Sequence, residues 1–193
     1  MSRRRRSARW AASVLLTCGV VALGFAAYVI IDARLYQSVE RKRFEATAPS
    51  TVALPVPSDG ASIGEIQISR LGLRAIVVQG ESAPVLRHGV GHLSDTALPG
   101  EVGNVVLAGH RDTFFRSLSG VRAGDSITLK TRDGEFEYLV ESTSVVAPSA
   151  IQVLEPRGGR TLTLITCYPF SYIGAAPNRF IVRARQQIEA HSD

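Results

Sequence analysis

The sequence predicts an all-β domain, a compact barrel of seven or eight strands with few short helices, preceded by one transmembrane helix. From Ala61 onward, short apolar runs are separated by Gly, Pro, Asp and Asn. Runs that recur about every 8–12 residues are typical of an all-β sandwich or barrel. An uncharged apolar run lies ahead of them, and the 193 residues suffice for one domain and a short appendage.

The uncharged run extends from Trp10 to Ile31, and its 22 residues are rich in Val, Leu, Ala, Ile and Gly. About 20 apolar residues are enough for an α-helix to cross the hydrocarbon core of a membrane. The apolar region of a cleaved signal peptide is shorter, about 7–15 residues, and no clean small-residue cleavage site closes this run. We therefore expect a retained single-pass anchor rather than a signal peptide or a buried helix of a soluble domain.

Basic residues lie on both sides of this run. Five arginines precede it, Arg3 to Arg6 and Arg9, and four basic residues follow it, Arg34 and residues 41–43. The side with more Lys and Arg tends to stay in the cytoplasm. We expect a cytoplasmic N-terminus and an extracytoplasmic domain.

The net charge of +5 belongs to the first part of the chain. Residues 1–54 hold nine of the 22 Lys and Arg but only three of the 17 acidic residues. The rest carries 13 basic and 14 acidic groups, a formal charge of −1. Because the folded part has no excess of positive charge for phosphates, we do not expect it to bind nucleic acid.

Composition divides the chain into five segments. Pro49, Pro55 and Pro57, with Ser, Thr and Ala around them, indicate a linker. The expected segments are a basic start (1–9), a transmembrane anchor (10–31), a stalk or linker (32–58), the folded domain (59–188) and a C-terminal tail (189–193).

The candidate strands are short apolar runs with β-branched residues, and a hairpin signal, Arg132-Asp133-Gly134, separates two of them. Helical stretches are few, at 113–118 and 149–154. The candidate strands are 63–68, 73–78, 104–108, 126–130, 135–140 with a continuation or restart over 139–146, 161–166 and 180–185.

Only one of the two cysteines can serve an external domain. Cys18 lies inside the apolar run, so Cys167 is a lone thiol in a compartment where thiols usually form disulfides. An unpaired cysteine there indicates a reactive thiol or an intermolecular disulfide. The third interpretation is a buried, inert core residue.

Three chemically capable side chains lie where predicted strands begin or end. Cys167 follows an apolar run, and Pro169 two residues later ends regular pairing. His110 ends another run, and Arg179 opens the last strand. Catalytic groups commonly lie at such rims of a rigid scaffold. The thiol, the imidazole and the guanidinium would converge if their strands are neighbours.

These residues also have ordinary interpretations. His110 could be a surface or hydrogen-bonded residue, and alternation places Arg179 on a mostly polar face that solvent exposure alone would explain. His88 and His92 offer other imidazoles, but the glycines between them disfavour the helix that a metal-binding pair at this spacing needs. We expect no metal and no cofactor.

Three motifs, in this order, resemble those of the sortase family. T-L-I-T-C-Y-P-F (163–170) resembles the signature in which T-L-x-T-C ends a barrel strand. L-A-G-H-R (107–111) resembles the motif with the family's histidine, and N-R-F-I-V-R-A (178–184) the one with its arginine. The resemblance spans about residues 63–185. The forms A-G-H-R-D-T-F-F-R and T-C-Y-P-F are most similar to class D.

The resemblance implies an eight-stranded sortase barrel and a cysteine transpeptidase at a bacterial cell membrane. Carried over by position, Cys167 attacks the carbonyl between Thr and Gly of an L-P-x-T-G-like sorting signal and forms a thioacyl-enzyme. His110 protonates the leaving amine and later takes a proton from the incoming one. Arg179 holds the substrate or donates to the oxyanion, and Thr166 is expected to assist in such a contact.

The implied partners are proteins with a C-terminal L-P-x-T-G-like signal, an amine acceptor such as peptidoglycan or a protein lysine, and the membrane. One alternative within the site is that Asp112 orients His110, as the third member of a triad does.

Two other functions fit parts of the sequence. A thiol peptidase would use water instead of the amine to resolve the same acyl-enzyme. A non-catalytic anchored β-barrel that binds a partner would keep Cys167 buried and inert, with His110 and Arg179 far apart. A redox protein would need C-x-x-C, which this sequence lacks.

Overall fold

A computed structural model describes residues 2–46, 57–156, 158–171 and 174–187 of the chain. Part of the predicted linker, at 47–56, and all of the predicted tail, at 189–193, lie outside these residues. The chain divides into two compact units, residues 1–36 and 37–193.

The first unit consists of most of one long helix, α1 (Ser2–Ala46). Its stretch from Ala12 to Arg43 is long and apolar enough to cross a membrane, by length and composition alone. The charged residues after Ile31 continue the helix, because Leu, Arg, Glu and Lys are good helix formers. As the sequence predicts, one apolar helix precedes the folded domain.

The second unit contains a closed barrel of eight strands, which confirms the predicted fold. The strands are β1 (Ser62–Ile68), β2 (Leu73–Gln79), β3 (Val90–His92), β4 (Gly103–Ala108), β5 (Ser126–Thr131), β6 (Glu135–Val146), β7 (Arg160–Tyr168) and β8 (Asn178–Gln186). Their spatial order is β1-β2-β3-β4-β7-β8-β6-β5, and β5 pairs with β1 to close the barrel. Neighbours pair antiparallel, except that β2 with β3 and β4 with β7 run parallel.

The sequence did not predict β3 or the helix before it, α2 (Ala83–His88). β3 has three residues, one of them glycine, so it shows no alternation, and its pairing with β2 and β4 alone defines it. The runs predicted at 135–140 and 139–146 form the single strand β6. The two predicted helical stretches contain only short 3₁₀ turns, at 116–120 and 151–153.

Alternate residues of the strands fill the barrel interior. On the three strands that bear the site these are Val105, Leu107, Leu162, Leu164, Val182 and Ala184. The residues between them face outward, because successive side chains of a strand point to opposite faces. Cys167 and Arg179 therefore lie on the outer faces of β7 and β8.

The end of α1 that belongs to the second unit binds the barrel through its side chains. Gln37 accepts a hydrogen bond from the N–H of Ile76 on β2 (2.8 Å) and donates one to the carbonyl of His88 (2.6 Å). Its amide thus takes the place of a peptide group between β2 and the end of α2.

A second contact of α1 is with Glu65 on β1, whose side chain is only 3% exposed. Arg41 of α1 and Arg74 of β2 contact its two carboxylate oxygens at 3.0 and 2.6 Å. Buried carboxylates require such paired partners. Through Gln37 and Arg41, the last turns of α1 are part of the folded unit.

Gln37→Ala is expected to destabilise the barrel by about 1–3 kcal/mol, because it leaves partly buried backbone groups of β2 and α2 without their hydrogen-bond partner. Thermal unfolding of the full chain in detergent micelles would show the loss as a lower Tm. Val39→Ala, at a neighbouring position that is 46% exposed, is the matched control. Equal melting of the two variants would contradict a stabilising role for the Gln37 contacts.

Candidate active site

Cys167 is the last residue but one of β7. The antiparallel register pairs it directly with Arg179, the second residue of β8. Residues paired in this way have Cβ atoms about 4.5–5.5 Å apart on the same face of the sheet. The thiol and the guanidinium therefore start side by side on the outer face of the barrel.

His110 comes from the other neighbour of β7. The parallel register of β4 and β7 pairs Ala108 with Ile165, and the N–H of Gly109 donates to the carbonyl of Ile165 (3.1 Å). Two residues beyond that pair are His110 on one chain segment and Cys167 on the other. Adjacent strands are about 4.8 Å apart, so the register leads the three candidate residues toward the same end of β4, β7 and β8.

Thr166 occupies a different place from the one expected. Its side chain is 2% exposed, and its hydroxyl donates to the carbonyl of Gly109 (2.7 Å). Because neighbouring residues of a strand point to opposite faces, this hydroxyl points away from the face that bears Cys167. It ties the end of β7 to the residue before His110.

Two arginines hold the connection between β7 and β8 by its carbonyls. Nη1 of Arg179 donates to the carbonyls of Asn178 (3.0 Å) and Ala176 (3.3 Å). Nη2 of Arg111 donates to the carbonyl of Gly174 (2.9 Å) and so links the histidine turn to this connection. The sequence analysis did not single out Arg111, although its position directly after the candidate histidine could have indicated a role at the site.

The turn that carries His110 packs on a buried ring. The N–H of Phe115 donates to the carbonyl of His110 (3.0 Å), and the Phe115 side chain is completely buried. A Cβ on Gly109 would lie 2.7 Å from that ring, so only glycine permits this approach. The buried Phe115 ring thus fixes the backbone of the turn that carries His110.

Three aromatic rings lie beside the ends of β7 and β8. Tyr168, Phe170 and Phe180 have ring centroids 5.3–6.2 Å apart, and Phe170 and Phe180 also pack against the core. Aromatic pairs at such distances contribute about 0.5–1.5 kcal/mol each beyond the burial of their area. These contacts stiffen the strand ends that carry Cys167 and Arg179.

The other two histidines that the structure describes, His88 and His92, lie on elements that do not adjoin β7. His92 lies on the inner face of β3, is 1% exposed, and has Gln79 Oε1 and the Ala97 carbonyl 2.9 Å from its two ring nitrogens. Burial lowers the pKa of His92, against the opposing effect of the Ala97 carbonyl. His88 ends α2, ahead of β3, and β3 does not adjoin β7.

Asp112 is exposed, and no hydrogen bond joins it to His110 among the residues that the structure describes. In the same residues no three His, Cys, Asp or Glu side chains lie close enough to hold a metal ion. Cys167 is partly buried and forms no disulfide. The candidate site therefore combines a partly buried free thiol with the imidazole of His110 and the guanidinium of Arg179.

Known proteins identify the family. The sortase domain family matches residues 66–187. The chain belongs to the sortase family. It is similar to Sortase D of Bacillus subtilis, with 30% identity over 89% of this chain and 95% of that protein.

Solved structures of sortases also resemble the chain. The Clostridium perfringens Sortase D5 transpeptidase is 29% identical, with a TM-score of 0.62 over 79% of this chain and 89% of that one. Sortase E from Streptomyces avermitilis is 31% identical, with a TM-score of 0.60 over 71% and 97%.

These relatives confirm the sortase barrel and the likeness to class D that the motifs predicted. Sortases are cysteine transpeptidases that act at the cell surface on proteins bearing sorting signals. This sortase is accordingly an enzyme of the transpeptidase class, and its apolar helix is compatible with anchoring in a membrane.

Gly109→Ala is expected to lower the kcat of this sortase by about 10–100-fold, because moving the Phe115 ring shifts the His110 turn and a misplacement of about 1 Å can cost 10²-fold. Peptide turnover by the full chain measures the effect. Gly120→Ala is the matched control, since its new methyl group would meet Leu71 at an ordinary 3.5 Å. Full kcat in Gly109→Ala would mean that His110 does not depend on this packing.

His92→Gln is expected to weaken the dependence of stability on acid pH. The pKa of His92 is lowered in the folded protein, so below about 6.5, its ordinary value, the unfolded chain binds the proton more readily. The stability that neutral His92 contributes is present above that value and is lost as the pH falls toward the folded pKa. The difference between the Tm at about pH 7.5 and at about pH 5 measures the pH dependence of stability, with His88→Gln as the control. An unchanged pH dependence in His92→Gln would refute it.

Proposed function

We propose that this sortase cleaves an L-P-x-T-G-like sorting signal between Thr and Gly through a thioacyl-enzyme and transfers the acyl group to an amine. The observation that supports the proposal is the register at one end of β4, β7 and β8. It pairs Cys167 with Arg179, and it pairs Ala108, two residues before His110, with Ile165, two residues before Cys167. The thiol can act as the nucleophile, the imidazole as the proton carrier and the guanidinium as the oxyanion donor.

Cys167 is the proposed nucleophile. Its thiolate attacks the carbonyl carbon of the signal's Thr, and the tetrahedral intermediate collapses with loss of the amine that begins at Gly. The product is a thioester between the Thr carbonyl and Sγ. Partial burial at a rim, without a disulfide, supports this role.

His110 is the proposed proton carrier. It donates a proton to the nitrogen of the departing Gly, since an amine leaves only when protonated, and later takes one from the incoming amine. The bond from Thr166 to the Gly109 carbonyl supports this role, because it fixes the residue before His110 against β7. We assign Thr166 to positioning on the same ground.

Arg179 is the proposed oxyanion donor or substrate clamp. A guanidinium has five N–H donors, and the backbone carbonyls of Asn178 and Ala176 both accept from Nη1. These bonds favour a guanidinium oriented at the rim before substrate binds. Loss of one oxyanion donor raises the barrier by about 3–4 kcal/mol in well-studied cases.

The chain's first part supports membrane attachment of the enzyme. The apolar stretch of α1 is long enough to span a bilayer, and the arginines before it favour a cytoplasmic N-terminus. The catalytic domain, 59–188 by sequence, would then lie outside the cytoplasm of a bacterium. There it would meet exported proteins with C-terminal signals and an amine such as that of peptidoglycan or a protein lysine.

The geometry favours an enzyme over a non-catalytic binding barrel. The binding-domain hypothesis requires an inert thiol with His110 and Arg179 far apart, whereas the pairing of β7 with both β4 and β8 supports a common end for all three residues. A thiol peptidase would share the acyl-enzyme, so only the fate of that intermediate separates it from a transpeptidase.

Cys167→Ala is expected to abolish acyl transfer, because it removes the proposed nucleophile, while the barrel keeps its Tm. The full chain in detergent micelles is mixed with an L-P-x-T-G-type peptide and a small amine, and mass spectrometry follows the thioester on Cys167 and the amide product. Cys18→Ala, which alters the cysteine in α1, is the matched control and should retain activity.

The products decide between the hypotheses. A thioester that resolves to the amide supports the transpeptidase, and one that resolves only to free acid in the presence of the amine supports the thiol peptidase. Turnover by Cys167→Ala, or an unreactive thiol in the unmodified protein, would overturn the mechanism.

A further inference from the structure

The two residues that flank His110 are each bonded to a different neighbouring segment. The carbonyl of Gly109 accepts from the hydroxyl of Thr166 on β7 (2.7 Å). On the other side, Nη2 of Arg111 donates to the carbonyl of Gly174 (2.9 Å), 63 residues further along the chain. The first bond holds the histidine turn to the strand of the proposed nucleophile, and the second holds it to the connection between β7 and β8.

This connection is also bonded from β8. Nη1 of Arg179 donates to the carbonyl of Ala176 (3.3 Å). That carbonyl lies two residues beyond the Gly174 carbonyl, which accepts from Arg111. We call residues 174–176 the support segment, because both arginines donate to its backbone.

Gly174 presents its carbonyl to Arg111 from a backbone conformation that other residues rarely adopt. Its φ is 102°, which strains a residue that has a Cβ, although a Cβ at this position would meet no described atom within 4 Å. The bond therefore depends on two features of the sequence, an arginine directly after the histidine and a glycine at 174. Each can be changed while the other is kept.

The support segment gives the histidine turn and the Arg179 guanidinium a common point of attachment. The residue after His110 donates to its first carbonyl, and the proposed oxyanion donor donates to its last. β7, which carries Cys167, lies between the strands that lead to these two groups. A shift of the support segment would therefore change the spacing between the proton carrier and the oxyanion donor, and the transition state requires both in place.

We propose that Arg111 is a positioning residue for the reaction, which fixes the support segment and thereby the spacing of His110 and Arg179 around the thiol. This inference rests on the proposed function. Arg111 acts through its bond to Gly174 rather than on the reacting atoms. Because the spacing matters most in the transition state, loss of this bond lowers kcat rather than raising KM.

The first test uses the full chain in detergent micelles with Arg111→Ala, which removes the donor to the support segment. Arg116→Ala is the matched control, because it removes an exposed arginine from the same stretch of chain. Arg111→Lys keeps the positive charge and places N–H donors at the end of a long side chain. It should therefore retain most of the activity that Arg111→Ala loses.

Gly174→Ala disturbs the same bond from the other side and serves as the second variant if Arg111→Ala does not fold. Its methyl group has open space, but the strain at a positive φ turns the carbonyl away from Arg111. Gly124→Ala is the matched control, since Gly124 also has a positive φ, 88°, and open space. It lies just before β5, which adjoins neither β7 nor β8.

Four properties are measured for each variant. They are kcat and KM for an L-P-x-T-G-type peptide with a small amine, the pH profile of kcat/KM, the rate at which iodoacetamide alkylates Cys167, and Tm. Alkylation by a small reagent requires the thiol but neither a proton carrier nor an oxyanion donor. It therefore separates damage to the thiol from a change in the spacing of the groups around it.

Arg111→Ala and Gly174→Ala are each expected to lower kcat about tenfold, since a misplacement of about 1 Å can cost 10²-fold. KM and the alkylation rate should change less than about twofold, and the pH profile should keep its shape. Arg111→Lys should keep kcat within about threefold of the unmodified protein. Gly124→Ala should lower Tm as much as Gly174→Ala does, yet both it and Arg116→Ala should keep full kcat.

Full kcat in Arg111→Ala, while the unmodified protein forms the thioester, would overturn this inference and leave the proposed function standing. A shifted pH profile in Arg111→Ala that Arg111→Lys restores would also overturn it, because Arg111 would then act through its charge. An equal loss of kcat in Gly124→Ala would attribute the effect of Gly174→Ala to general strain and would count against the inference. If the unmodified protein forms no thioester with any peptide, the proposed function fails and this inference fails with it.

Discussion

The backbone register among β4, β7 and β8 is the constraint on which the site depends. These strands adjoin one another although 51 residues separate Ala108 from Arg160 in the chain. The ladder pairs Cys167 with Arg179, and the bond from the Gly109 N–H to the Ile165 carbonyl holds the residue before His110 beside β7. A slip of one residue in either pairing would turn the thiol or the guanidinium to the opposite face of the barrel. Closure of the barrel and its packed interior make such a slip costly.

The sequence predicted the local parts of this arrangement and not their partners. Alternating or apolar runs located seven of the eight strands, and Cys167, His110 and Arg179 were each recognised at a strand end. The order β4-β7-β8 is a property of long-range pairing, which periodicity does not contain. The sequence did not predict β3, because three residues show no periodicity. Its pairing with two longer strands is what defines it.

The contacts of individual side chains were the second feature that the sequence did not predict. Thr166 precedes Cys167, so proximity suggested a shared task, but alternation sends its hydroxyl to the inner face, where the Gly109 carbonyl is its partner. The contacts of Gln37 could not be foreseen either, since a polar residue in a charged helix end is ordinarily solvated. Only the structure shows that its amide completes backbone hydrogen bonding at β2 and α2.

The segments around the site share one mode of attachment, in which barrel or rim side chains donate to backbone carbonyls of the connections. Thr166 holds Gly109, Arg111 holds Gly174, and Asn104 holds residues 153 and 154. Every residue type has a carbonyl, so these bonds do not constrain which side chains the connections display. A barrel built in this way keeps its reacting groups in register while the side chains that face a substrate are free to differ. Under the proposed mechanism, the reacting groups and the segments that face a substrate would then be separable parts of the same fold.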